Sequence, residues 1–368
     1  MTQAFTTALS VGLFALAALL PLRPRRTSPF TVPYAFSWWM NELPFVGLWW
    51  LISGTIGTLL NPQTGVWWWL TVTLGGVVAG ILIRLLVRAR SARPALAEAL
   101  GEVYGSRGAP RATTPAWWRI VLLPIVAWRP DVRRIRNRRY GSARFGNLLD
   151  VYVSRRRSPS GGAPVLVYLH GGGLNGYGFG GKAIFAHALL YRFAAQGWVC
   201  MSANYRMRGV RYGEQVADAR HALDWAREHA EEFGGDPASV VVVGGSSGAN
   251  LAAAATFSGA PARGVVALYG FYGAAGPGSW SPADEATPDA PPVLVIHGSH
   301  DTLVRREDAR SFAGRVRAVS QQPVVYAELP GANHNFDFFP SLRLHTIGDA
   351  IERFIELTLG VPARVDRP

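Results

Sequence analysis

The chain has one cysteine, Cys200, so no internal disulfide framework can hold it together. That residue sits in the apolar run Trp198-Val199-Cys200-Met201, which predicts a buried core thiol. No C-x-x-C pair and no His/Cys cluster is present, so the sequence offers no metal site. Lysine is equally scarce: Lys182 stands alone, and no role is read for it. Charged residues are only 17% of the chain against 49% hydrophobic, a balance unlike that of a purely soluble protein.

Charge is missing altogether from three long stretches, Ala4 to Leu22, Leu43 to Leu60 and Val66 to Ile83, the last continuing past Arg84 to Val87. Each approaches the roughly 20 residues that cross about 30 Å of hydrocarbon. Such runs leave no polar face for water. Trp49, Trp50, Trp67, Trp68 and Trp69 fall near the expected interfaces. A signal peptide fits the first stretch poorly, because Met1-Thr2-Gln3 carries no positive charge. Residues 1–90 are therefore expected to form a transmembrane region of about three helices, near 4–22, 43–60 and 66–87.

The net charge of +13 is a property of one segment. Residues 84–157 hold 17 Arg against Glu98, Glu102, Asp131 and Asp150, and the remainder nearly cancels. Its place directly after apolar stretches favours anionic lipid headgroups over nucleic acid as its partner. Residues 91–139 read as a basic, partly interfacial linker. Within it, Pro115 to Arg129 is too short and too broken by Pro124 to span. Trp117, Trp118 and Trp128 beside Arg119 and Arg129 suit either an interface or a docking strip on the C-terminal domain. Arg23, Arg25 and Arg26 follow the first stretch, and Arg84, Arg88, Arg90 and Arg93 follow the third. The loop Asn61 to Gly65 between the second and third is uncharged. The positive-inside rule then predicts a multi-pass protein of the cell membrane with a cytoplasmic C-terminal domain.

From about residue 140 the pattern changes. Short apolar runs at Val165 to Leu169, Val199 to Ala203, Val240 to Val243, Val265 to Leu268, Val293 to Ile296 and Val324 to Ala327 alternate with amphipathic stretches. Fully apolar strands alternating with helices predict a mostly parallel sheet covered on both faces. This α/β domain is expected over 140–360, with a tail at 361–368.

Gly244-Gly245-Ser246-Ser247-Gly248 has the form G-x-S-x-G and joins the valine run to the small-residue helix start at Ala249. That strand–turn–helix context holds a serine at a helix N-terminus, where developing negative charge is favoured, and makes Ser246 the candidate nucleophile. His170-Gly171-Gly172-Gly173 ends the run 165–169. Its glycines let backbone N–H groups approach a substrate closely. The amides of Gly172, Gly173 and Ser247 are expected to hold an oxyanion, with His170 and Gly171 shaping the loop. A serine nucleophile needs a base, and the base needs an orienting carboxylate. His334, in the loop after the last apolar run, is the candidate base, and Asp301, directly after the run 293–296, the candidate acid. Asp337 is too close in sequence to His334, Glu328 sits at a strand end, and His345 is expected at the surface. His297 and His300 are expected to help form the Asp301 loop.

HGGG at 170–173, GGSSGAN at 244–250, HGSHDTLV at 297–304 and PGANHNFD at 330–337 resemble the hormone-sensitive-lipase family of bacterial esterases. The membrane-anchored carboxylesterases and lipases of mycobacteria and related actinobacteria look most similar. Arg138-Arg139-Tyr140-Gly141 and Asn147 to Tyr152 share that group's pattern at the first strands. The resemblance covers about residues 135–357. It implies an α/β-hydrolase fold and ester hydrolysis through Ser246, Asp301 and His334, without metal or organic cofactor. Two departures stand out. Ser247 replaces the alanine that usually follows the nucleophile. Gly270 to Pro292 is too short for the usual cap insertion, so a reduced cap is expected. The same triad would also serve an acyltransferase or a lactone or amide hydrolase. A non-catalytic binding protein on this fold would usually have lost a triad member.

Overall fold

The computed structural model describes residues 2–20, 32–60, 65–156, 162–174, 180–182, 184, 187–274 and 278–360. Arg23, Arg25, Arg26, most of the 61–65 loop and the tail 361–368 lie outside them.

Eight strands form one sheet in the order β1-β2-β4-β3-β5-β6-β7-β8. They are β1 (Val132–Arg139), β2 (Leu148–Ser154), β3 (Ala163–Leu169), β4 (Val199–Ala203), β5 (Gly235–Gly245), β6 (Val265–Leu268), β7 (Val293–Gly298) and β8 (Val324–Leu329). β2 runs antiparallel to both its neighbours, β1 and β4; β3 through β8 pair parallel with one another. The valines of β5 show why the strand is central. Val240 and Val242 enter the core on one face, and Val241 and Val243 enter the core on the other. A period of two with no polar position needs helices on both sides. On one side lie α8 (Tyr212–Glu228), α9 (Ser247–Phe257) and α10 (Arg306–Val319). On the other lie α5 (Ala92–Tyr104), α7 (His187–Ala195) and α11 (Leu342–Leu359). Cys200 is buried in β4, as its apolar run predicts.

The sheet begins earlier than the sequence pattern suggests. β1 lies in the stretch read as linker, because its sequence Val-Arg-Arg-Ile-Arg-Asn-Arg-Arg carries no apolar alternation. It is an edge strand, and charge on an edge discourages pairing with other chains. The same stretch also supplies α5, whose Ala92, Leu96, Ala99 and Leu100 form one buried stripe in the second core. The Arg-rich segment is therefore partly built into the domain. Between them α6 (Trp117–Leu122) and the residues after it leave Trp117, Trp118, Leu122, Ile125 and Trp128 exposed. Lys182, for which no role is evident in the sequence, is buried beside β2, where its ammonium bonds Asn137 Oδ1 (2.9 Å) and the Asp150 carboxylate.

The N-terminal helices are α1 (Gln3–Leu19), α2 (Val32–Glu42), α3 (Pro44–Leu60) and α4 (Val66–Arg90). Ala8, Val11, Ala15 and Ala18 of α1 pack with Leu51 of α3 and Val78, Leu82 and Leu85 of α4 in a core of their own. Their outer faces expose Leu13, Ile52, Leu59, Trp69, Val77 and Ile83. The continuous stretch Val66–Gly108 is long and apolar enough to cross a membrane. At 17 residues each, α1 and α3 rise about 26 Å, short of a full crossing by regular helix alone. Arg88, near the end of α4, donates to Leu19 O of α1 (2.9 Å), so the C-terminal ends of both helices meet. They meet on the sheet domain, where Arg88 Nη1 also lies 3.4 Å from His300 Nδ1.

Candidate active site

Ser246 stands between β5 and α9 with φ 54° and ψ −120°. A non-glycine residue in this region carries strain that its surroundings must hold in place. The flanks explain how they do. A Cβ on Gly244 would lie 2.2 Å from Gly248 O, and one on Gly248 would lie 2.0 Å from Leu169 O. Only glycine lets the turn close this far and α9 sit against β3. The Ser246 amide donates to Leu268 O (2.9 Å), fixing the turn to β6. Gly248→Ala is expected to destabilise the protein by about 3 kcal/mol or more, because rigid backbone blocks the methyl. A thermal melt within a degree of wild type would contradict this packing.

The HGGG loop crosses the nucleophile: a Cβ on Gly171 would lie 3.0 Å from Ser246 Cβ. Gly172 and Gly173 take φ 128° and 117°, which glycine adopts freely. His170 is buried and stacks on Tyr205 with centroids 4.5 Å apart, and its Nδ1 lies 2.7 Å from Gly171 O. Burial pushes the His170 imidazole down to about 4, so it is neutral at pH 7. Tyr205 Oη donates to His170 O (2.8 Å). One expected oxyanion donor is turned elsewhere. The Gly173 amide donates to Ser247 Oγ (3.0 Å). The hydroxyl that replaces the usual alanine supplies an acceptor inside the loop, and the nearest amide takes it.

His334 and Asp301 come together as loops after β8 and β7. His334 Nδ1 donates to Asp301 Oδ2 (2.8 Å), with both side chains buried. Asp301 Oδ1 accepts from the amides of Leu303 and Val304, each at 2.8 Å. His297 Nε2 lies 3.4 Å from Asp301 Oδ2 and 3.2 Å from Val304 O. Burial alone would raise the Asp301 carboxyl, but the His334 charge and hydrogen bond, His297 and the Val304 amide hold it below the ordinary carboxylate range. Burial and the nearby Arg88 push His300 down to about 4, leaving it neutral.

Several neighbours carry no sequence signal of their own. Asn333 joins the two loops, its Oδ1 accepting from Thr302 N (3.0 Å) and His334 N (2.7 Å). Tyr269, after β6, sets its ring 4.6 Å from the His334 ring. Its hydroxyl donates to Asp337, whose carboxyl burial raises to about 6. Glu328 faces outward to Arg306 and Arg310. His345 is half-buried rather than superficial, with Nδ1 2.9 Å from Arg192 and Nε2 2.9 Å from Thr113 Oγ1. Among the described residues, no group of three His, Cys, Asp or Glu side chains could hold a metal ion.

The family model described as BD-FAE matches residues 149–263, the span from β2 through α9. Esterase LipC of Mycobacterium tuberculosis is 35% identical over 282 residues, covering 61% of this chain and 68% of LipC. The probable carboxylic ester hydrolase LipM of the same organism is 33% identical, and the match spans 59% of each chain, so this chain covers less than two thirds of that relative. In three dimensions, Thermogutta terrifontis esterase 2 superposes with a TM-score of 0.52 at 23% identity, over 65% of this chain and 97% of that one. That likeness concerns the fold, while the LipC match carries the lineage. On it, the chain belongs to the hormone-sensitive-lipase family of bacterial ester hydrolases.

Proposed function

We propose that this protein is a serine carboxylesterase or lipase that hydrolyses acyl esters at a membrane face. The observation that carries the reading is the buried His334–Asp301 hydrogen bond between the loops after β8 and β7, taken with a strained serine at the β5–α9 turn. Ser246 Oγ attacks the ester carbonyl while His334 Nε2 takes its proton. Asp301 fixes the tautomer with hydrogen on Nδ1, which leaves Nε2 free to accept. The tetrahedral oxyanion is held by amides of Gly172 and Ser247, joined by Gly173 once its amide leaves Ser247 Oγ. His334 then protonates the leaving alkoxide, and water releases the acyl group by the same steps in reverse roles. Water is the sole co-reactant, so the cycle needs no cofactor.

The membrane placement rests on the N-terminal module. Residues 1–90 form the inserted region, with α1 and α3 completing a bundle around α4. Arginines of the 91–139 segment that remain exposed meet anionic headgroups, and the hydrolase domain over 140–360 lies on the cytoplasmic side. With the short Gly270–Pro292 stretch as a reduced cap, the acyl site opens toward that module.

Full-length protein in detergent should label with a fluorophosphonate probe and hydrolyse p-nitrophenyl esters, with the optimum chain length reporting the acyl site. No labelling of the wild type would sink the reading. Labelling without ester turnover would redirect it to acyl transfer or to amide or lactone chemistry.

A further inference from the structure

The helix α2 has no counterpart in the sequence reading, and it lies directly on the loops that carry His334 and Asp301. Ser37 Oγ accepts from Asn333 Nδ2 at 2.7 Å, with both side chains buried. The other end of Asn333 accepts from Thr302 N, Thr302 Oγ1 (3.1 Å) and His334 N. Two backbone N–H donors fix that end as the oxygen, so the amide nitrogen must face Ser37. One side chain thus ties the residue after Asp301 to the backbone of His334, and α2 anchors it. The helix is held there independently. Trp38 packs on Phe338 and Phe339, each at 5.1 Å between centroids. Asn41 Nδ2 donates to Gly331 O (3.0 Å), and the Glu42 carboxylate pairs with buried Arg343 and with Ser341 Oγ (3.1 Å).

We propose that α2 is a positioning element of the reaction: Ser37, acting through Asn333, holds the His334 loop in register with Asp301. The proposal rests on the triad reading above. It makes the apolar N-terminal module part of the active site rather than an anchor alone. Removing the Ser37 hydroxyl leaves the Asn333 amide nitrogen without this acceptor in a buried place, where an unmet donor drives rearrangement. Asn333 then turns or shifts, and both loops relax. Small displacements of a catalytic base are costly, since an error of about 1 Å lowers rate by roughly a hundredfold.

The test uses the full-length protein in detergent, with Ser37→Ala, Ser37→Thr, Asn333→Ala and the Ser37→Ala/Asn333→Ala pair. Ser37→Ala is expected to lower kcat and the fluorophosphonate labelling rate by about tenfold with KM within about twofold, a smaller error than a full 1 Å shift. Ser37→Thr, which keeps the hydroxyl, should restore the rate. If Ser37 acts through Asn333, the pair should be no slower than Asn333→Ala alone. Should Ser37→Ala fail to fold, Ser37→Cys, a weak acceptor of similar size, is read by the same criteria. An active wild type with Ser37→Ala at wild-type kcat, or losses that multiply in the pair, would overturn the positioning role alone. A wild type that neither labels nor turns over ester would overturn the triad reading and this proposal with it.

Discussion

Ser246→Ala is expected to abolish probe labelling and to lower ester turnover on the order of a million-fold, leaving only what binding and the oxyanion amides provide. The fold should survive, because the Ser246 amide keeps its bond to Leu268 O and the packing of Gly244 and Gly248 is untouched. A companion variant tests the backbone strain of the turn. At φ 54° and ψ −120° any side chain is strained, so alanine inherits the strain and glycine escapes it. Ser246→Gly should therefore be more stable than Ser246→Ala by about 1–3 kcal/mol. Elsewhere in a protein glycine lowers stability relative to alanine, so the sign of the difference is the test. Equal melting temperatures would mean that the strand–helix turn is relaxed, and with it the reason for a serine held in this conformation.

The parts of the candidate site that were legible in the sequence are those where the proposed chemistry and the turn geometry demand the same residues. Ser246 needed small flanks, and His334 and Asp301 needed loops directly after apolar strands. The strands themselves were legible because parallel, doubly covered strands are unbroken apolar runs. β1 was not, because an edge strand survives on backbone pairing and can carry five arginines without an apolar face. Nor was α2, because its residues 37–42 mix aromatic, polar and acidic side chains, and Ser37 and Glu42 find their partners about 300 residues away. His345 looked superficial because nothing near it in sequence announces Arg192 or Thr113. The orientation of the Gly173 amide depends on a hydroxyl across the loop, Ser247 Oγ, and no local pattern encodes that. The apolar helices were legible as a candidate transmembrane region, but not their contact with the domain: α4 ends with Arg88 against α1 and His300.

Asp301→Asn is expected to lower kcat about ten-thousandfold with the fold intact. The cause lies in how the Asp301 carboxylate is held. Oδ1 accepts two amides, from Leu303 and Val304, so an asparagine must place its own oxygen there and its NH2 group toward His334. His334 Nδ1 then has to accept rather than donate, which puts the hydrogen on Nε2, the atom that must take the Ser246 proton. The base is present but carries its proton on the wrong nitrogen. Asp301→Ala differs, since it also strips the loop amides of their acceptor and should melt lower. Stability against pH separates wild type from Asp301→Asn. The Asp301 carboxyl titrates below its ordinary range when folded, so its contribution is present above the unfolded value and is lost as pH falls through the folded one. Wild type should therefore lose stability below about pH 4, and Asp301→Asn should lack that component. The melting temperatures of the two proteins should converge as the solution is made more acid. A gap that stays constant from neutral to acid pH would show that Asp301 is not the buried, His334-paired carboxylate on which the proposed mechanism depends.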